Sequence, residues 1–453
     1  MDSFEMGQSA AAAMHSDLPL RLGDGLVLHW ATRDDIDPLA QFNIRVHSDN
    51  ADQPEAWLGD WTRDLMSGDH PTTSFEDFTV VVDSNHGRKI VSSLCLISQQ
   101  WTFEKIPFGV GRIELVGTDP AYRRRGLVRR QMEVIHKLSA ANGELIQAIT
   151  GIPWYYRQFG YEMALNLDGG RKLFWARPGN DKNPQNETFD LRPAAPTDIP
   201  LLQELFKINC ERSLLRLHRT RAEWAYGMFT ATSATPGKLR IFIFENELGQ
   251  GVGYARYWAW GTNFVVREMA VKPGISWRQA SLTLIHRLKT EADKMNNDRE
   301  EAITNIHFNF GETHPVYDAL GKQLEYLHKP YAWYIRIPDL KRFLEKIGPV
   351  LARRLAQSVM AGYAGNLRLS FYRDGLRLVF ENGRMLEVVP YEPSHVEDAD
   401  AFFPDRSFLQ LLLGYRSFDE LDYAFADCYA KNEETAILLR SLFPRQPTDI
   451  SPL

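Results

Sequence analysis

The stretch Leu115-Val-Gly-Thr-Asp-Pro-Ala-Tyr-Arg-Arg-Arg-Gly126 runs out of a strand and into a basic glycine loop. Upstream, Arg112-Ile-Glu-Leu-Val-Gly-Thr118 has strand composition. Downstream, Leu127, Val128, Met132, Ile135 and Leu138 recur at helical spacing, and Gly143 falls where a helix C-cap belongs. A strand that ends in a tight glycine loop and opens a helix aims several backbone N–H groups at one point, and the helix dipole adds partial positive charge there. Pyrophosphate fits such a nest. Gly126 lets the backbone approach closely, and Arg123, Arg124 and Arg125 are placed to meet an outer phosphate. A solvated basic run and a nucleic-acid contact are the competing readings of the arginines taken alone.

Working outward, strands are predicted at Leu26 to Trp30, Asp77 to Val82 and Ile90 to Trp101, with a short one at Leu145 to Ile149 after the helix. A helix with an acidic first turn opens at Arg33-Asp-Asp-Ile-Asp. A polar linker, Ala176 to Asp190, follows, and then the same order of elements recurs. Strands are expected at Leu239 to Glu245, Gly251 to Trp260 and Phe264 to Val271, then a helix from Ser276 to Met295 and a strand from Ile303 to Phe310. The middle third therefore reads as a diverged copy of the first. It carries Lys272-Pro-Gly-Ile-Ser-Trp-Arg278 where the first has its arginine loop, and the proline removes a backbone donor. From Lys341 the pattern changes to a helix, three short strands and further helical segments.

The chain has 453 residues, enough for about three domains. No apolar run approaches the roughly 20 residues of a membrane span. Met1 to Leu20 lacks a basic start and a long apolar block, and so reads as a flexible tail on a cytoplasmic protein rather than a signal peptide. A formal charge of −6 favours a cationic partner and offers nothing to nucleic acid. Cys95, Cys210 and Cys428 are too scattered for a disulfide framework or a metal site, and Cys95 reads as a small core residue.

The glycine loop, the amphipathic helix, the following strand and Tyr156-Arg-Gln-Phe-Gly-Tyr161, in that order, resemble the acetyl-coenzyme A site of the GNAT N-acetyltransferases. The wider layout resembles the Eis-type members of that superfamily. This likeness implies an α+β protein with a tail over 1–20, a catalytic GNAT domain over 21–180, a degenerate copy over 186–340 and a smaller sterol-carrier-like domain over 341–453. It also implies a homo-oligomer, acetyl-CoA as co-substrate without a metal, and a small amine as acceptor: an aminoglycoside, a polyamine or a lysine-like amine. Pyrophosphate would rest on the N–H groups of Arg124, Arg125, Gly126, Leu127 and Val128, and pantetheine along Leu115 and Val116. Tyr161 is expected as the general acid, with its neighbours Tyr155 and Tyr156 able to substitute for it. The terminal carboxylate of Leu453 is expected as the base, with Glu114 ranked after it. Asp52, Glu55, Trp57 and Trp61 are expected to form the acceptor wall by charge and cation–π contact, against the alternative of an ordinary amphipathic helix. The rival function is a sensor that binds CoA or an apolar ligand without turnover.

Overall fold

The computed structural model describes residues 18–176, 189–392, 395 and 398–451. Most of the N-terminal tail and of the linker lies outside these residues. The chain forms two compact units, Met1–Leu165 with Trp333–Gln446, and Asn166–Ala332 with Pro447–Leu453.

The first unit contains β1 (Leu20–Gly23), β2 (Leu26–Trp30), α1 (Ile36–His47), α2 (Ala56–Met66), β3 (Phe78–Asp83), β4 (Lys89–Phe103), β5 (Ile106–Thr118), α3 (Leu127–Ala141), β6 (Ile146–Ile149) and β7 (Glu162–Leu167). β3 is Phe-Thr-Val-Val-Val-Asp and is buried along its whole length, as a β-branched strand covered on both faces should be. β1 to β6 lie side by side in chain order, and the strand Tyr331–Arg336 separates β6 from β7. Pairings from β1 through β5 are antiparallel. β5 and β6, joined through α3, are parallel.

α3 docks through Leu127, Met132, Ile135 and Leu138, all buried. Each such side chain contributes about 1.5–3 kcal/mol of apolar transfer energy. Gln131 is buried among them without penalty, because its Nε2 donates to the Thr79 carbonyl at 3.1 Å and its Oε1 accepts from Ser92 Oγ at 2.7 Å. Gly143, just past the helix end, has φ +74°, which suits its expected capping place.

The remainder of the first unit is the helix Leu340–Ala356, a five-stranded sheet, and the helices Ser407–Leu412, Phe418–Ala424 and Glu433–Leu442. In the second unit the sheet order is Arg171–Phe174, Asn305–Phe308, Asn263–Val271, Gly251–Trp260, Ile241–Glu245, Asp190–Pro193. Its central strands repeat the antiparallel meander and the parallel closing pair of the first. In each sheet the parallel closing strand takes one more antiparallel partner. For β6 it is Tyr331–Arg336, and for Asn305–Phe308 it is Arg171–Phe174. Each sheet is thus extended by chain that follows the other copy in sequence. The architecture is α+β, as the sequence leads one to expect. Among the described residues no helix is long and apolar enough to cross a membrane.

Candidate active site

β5 and β6 pair only from Val110↔Ile146 to Ile113↔Ile149. Past Ile113, β5 runs on alone to Thr118, and its edge on that side is left without a partner strand. The parting coincides with a β-bulge. Ser93 pairs with Gly117 and Cys95 with Glu114, so β5 carries one extra residue, and Leu115 adopts φ +51°. A non-glycine residue held there stores about 1–3 kcal/mol of strain, which the burial of Leu115 sustains. The parted strands open a cleft of about 810 Å³. Its walls are Glu114 to Thr118 of β5, Ile149 to Ile152 after β6, His47 at the end of α1, Leu58 and Trp61 of α2, and the glycine loop.

The loop is pinned from outside the cleft. Tyr122 donates its hydroxyl proton to Asp83 Oδ2 at 2.7 Å, and Asp119 accepts from the Ala121 N–H at 3.1 Å while pairing with Lys89 at 2.8 Å. Arg124 and Gly126 both take positive φ, +66° and +74°, and Gly126 is the N-cap of α3 with no side chain capping the helix. The first-turn N–H groups of α3 are therefore left for a ligand. A Cβ at Gly126 would meet nothing within 4 Å, so the glycine is required by its backbone angle rather than by crowding.

Of the expected cofactor residues, Leu115, Val116, Arg123, Arg124, Gly126, Leu127 and Val128 line the cleft. Arg125 does not. Its guanidinium lies over the Tyr122 ring, 5.0 Å from the centroid. Arg129, which the sequence reading overlooked, does line the cleft, where its Nη2 donates to Gln158 Oε1 at 2.9 Å. Its signal was a fourth cation two residues into the helix.

Glu114 reaches the cleft wall. Its Oε1 accepts from Arg112 Nη2 at 2.6 Å and Nε at 3.0 Å, two residues along the same strand face. It is the only carboxylate among the described lining residues. Beside it stands His47, also unforeseen. Among the described residues its buried Nε2 has no hydrogen-bond partner. Burial holds its imidazole below the usual histidine range, and the Leu115 backbone and Glu114 oppose this only in part.

Tyr161 is placed differently from the expectation. It is fully buried, its hydroxyl lies 2.9 Å from His136 Nε2, and it is absent from the cleft wall. Tyr156, five residues earlier in the same motif, lines the cleft together with Tyr155, and its hydroxyl has no hydrogen-bond partner among the described residues. Burial, helped by the nearby Glu114 charge, pushes the Tyr156 phenol well above its usual range and keeps it protonated. Of the expected acceptor wall only Trp61 reaches the cleft. Trp57 lies against Trp61, with centroids 6.3 Å apart, and Asp52 and Glu55 are not lining residues. Leu453 lies outside the described residues.

The second unit lacks these features. In the parallel pairings Val266↔Phe308 matches Ile113↔Ile149, so Arg267 stands where the first copy has Glu114. Arg267 is engaged by Asp449, at 2.7 and 2.9 Å, and by the Asn309 carbonyl at 3.0 Å. The helix Trp277–Met295 is capped by Ser276, whose hydroxyl accepts from the Gln279 N–H at 3.3 Å. Among the described residues, the second unit thus has a capped helix and a cation where the first has an uncapped helix and a carboxylate.

Residues 30–164 match the family profile of the acetyltransferase (GNAT) domain. No curated protein gives a match. Among solved structures, a probable N-acyltransferase from Enterococcus faecalis is 14% identical with a TM-score of 0.67, over 94% of this chain and 100% of that one. A GCN5-related N-acetyltransferase from Anabaena variabilis is 15% identical with a TM-score of 0.65, over 94% and 99%. An Eis protein from Mycobacterium abscessus is 13% identical with a TM-score of 0.55, again over 94% and 99%. At these identities the likeness is one of fold, and it extends over nearly the whole chain.

Proposed function

We propose that this chain, whose residues 30–164 are an acetyltransferase domain of the GNAT family, moves an acetyl group from acetyl-CoA to the amino group of a small molecule by direct transfer. The observation that carries the reading is the uncapped N-terminus of α3 at Gly126, opening into a cleft whose edge strand has parted from its neighbour. The free N–H groups suit a pyrophosphate, and the unpaired edge of β5 from Leu115 to Gly117 suits an extended amide-bearing arm.

The chemistry then falls to three side chains. Glu114 supplies the one negative charge among the lining residues and draws a cationic amine. His47, neutral through burial and with an unpartnered Nε2, accepts the proton that makes the amine nucleophilic. Tyr156 gives a proton to the departing thiolate. No covalent enzyme intermediate is needed.

The rival reading, a non-catalytic sensor for an apolar ligand, finds less support. The hollow beside the C-terminal sheet interleaves apolar residues such as Leu340, Phe371 and Leu409 with Asp339, Lys341, Arg373, Asp374 and Asp405, and such charges among its walls oppose a wholly apolar occupant. A thiol-release assay with acetyl-CoA and a panel of amines separates the two. Release that depends on the amine and disappears in an Arg124→Glu, Gly126→Asp variant supports transfer. CoA binding without release from any amine supports the sensor.

A further inference from the structure

On the far side of Arg129, Gln158 and Phe159, which it shares with the cleft, lies a second hollow of about 480 Å³. Three arginines from separate parts of the chain line it: Arg129 of α3, Arg336 at the end of the strand Tyr331–Arg336, and Arg406 just before the helix Ser407–Leu412. Arg336 and Arg406 converge over Gly160. A Cβ placed there would meet Arg336 Nε at 3.2 Å and Arg406 Nη2 at 3.7 Å.

Among the described residues no carboxylate is hydrogen-bonded to any of the three. Arg129 donates to the neutral amide of Gln158, Arg336 to that of Gln147, and the Arg406 side chain makes no hydrogen bond among the described residues. Glu133, the only acid among the described residues of the wall, lies 3.0 Å from Arg130. Glu162, whose charge Arg406 also feels, accepts its hydrogen bonds from Arg157 at 2.5 Å and from Gln410, and so offsets the cluster only in part. His136, also on the wall, is kept neutral by burial and spends its Nε2 on Tyr161. Three like charges that share only part of one carboxylate repel one another, and an anion that accepts from several planar guanidinium groups relieves this.

We propose that Arg129, Arg336 and Arg406 form a binding site for a phosphate monoester dianion. A phosphate dianion spreads about two negative charges over three acceptor oxygens, a closer match to three guanidinium groups than the single charge of one carboxylate. Because the hollow shares its wall with the cleft, the phosphate has two possible sources. One is the 3′-phosphate on the adenosine of CoA, an alternative that rests on the cofactor reading of the cleft. The other is a free phosphate monoester acting beside it.

Calorimetry on the full chain with CoA, 3′-dephospho-CoA and inorganic phosphate tests the site and its source. The parent, an exposed-site Arg406→Gln variant and an Arg336→Gln, Arg406→Gln double variant are compared after thermal unfolding has shown each to be folded. If the cofactor is the source, the parent prefers CoA over its dephospho form by about tenfold or more, and the double variant binds the two alike. If a free phosphate monoester is the source, the parent binds both cofactors alike yet binds inorganic phosphate, and the variants lose that binding. Phosphate binding in a parent that takes neither CoA form leaves the arginine site standing and removes the cofactor reading. A parent that neither discriminates nor binds phosphate overturns the proposal, as does a double variant that discriminates as well as the parent.

Discussion

Tyr156 and Tyr161 stand five residues apart in one motif, yet their hydroxyls meet different surroundings, and that difference is measurable. Tyr156→Phe removes the phenol that faces the cleft and is expected to lower turnover by about 10²- to 10⁴-fold with little change in CoA affinity. Tyr161→Phe removes the bond to His136 and is expected to cost about 1 kcal/mol of stability while turnover stays near that of the parent. Steady-state kinetics and thermal melts on the pair decide, and the reverse pattern would return the donor role to Tyr161. The motif gives the spacing of its tyrosines but not their orientation. The 3-10 turn Tyr155–Phe159 puts Tyr156 on the cleft wall and leaves Tyr161 to the core, an arrangement that the spacing of the motif does not record. His136 adds a prediction in pH. Burial lowers its pKa to about 4, against 6.5 in the unfolded chain, so between those values the unfolded state binds the extra proton and stability falls as the solution is acidified. In His136→Gln, whose amide can still bond the Tyr161 hydroxyl, the drop in melting temperature from pH 7 to pH 5 should be shallower than in the parent. An identical slope would show that this imidazole does not titrate in that window.

Among the elements, β2 to β6 and α3 were legible because their patterns are strong: β-branched runs for the strands, and Leu127, Met132, Ile135 and Leu138 at helical spacing. The glycine loop was legible too, although the reason for the glycine was not. Space is open at Gly126, and the constraint is its φ of +74°. Gly126→Ala should therefore fold, at a cost of about 1–2 kcal/mol for an L-residue held left-handed. A loop that relaxes to avoid this cost turns its N–H groups away, so CoA affinity in calorimetry should fall by at least about tenfold. Unchanged affinity would show that the loop's left-handed turn is not what binds. What could not be read was the partner of each strand. The strand Tyr331–Arg336 looks in sequence like the end of the second copy, yet it pairs with β6, and Arg171–Phe174 pairs with Asn305–Phe308. Periodicity reports that a segment is a strand and which face is apolar. It carries no record of which edge the segment will find.

At the scale of the whole molecule, the two copies share a backbone plan and differ in what they do with the position after the last parallel pair. The first copy places a carboxylate there, Glu114, and leaves the helix beyond it uncapped. The second places Arg267, caps its helix with Ser276, and fills the arginine's reach with a residue from near the end of the chain. Arg267 is almost wholly buried, and Asp449 is its strongest partner. Asp168 stands off at 3.7 Å and is half exposed. Nearby, Glu268 acts on Arg267 through its charge but accepts hydrogen bonds from Arg219 and Arg256, each at 3.0 Å. Removing the Asp449 charge therefore takes away the hydrogen-bonded counter-ion of a buried cation and leaves only the longer-range charges of Asp168 and Glu268, where breaking a buried pair typically costs about 3–5 kcal/mol. The prediction is that Asp449→Asn lowers the stability of the second unit by roughly that order, the surviving hydrogen bonds holding it toward the lower end. Hydrogen exchange locates the effect, with protection lost in the strand Asn263–Val271 and retained in β3 and β4. Protection that stays unchanged in Asn263–Val271, in a variant that melts with the parent, would mean that Arg267 does not need the segment and that its pairing with Asp449 is incidental.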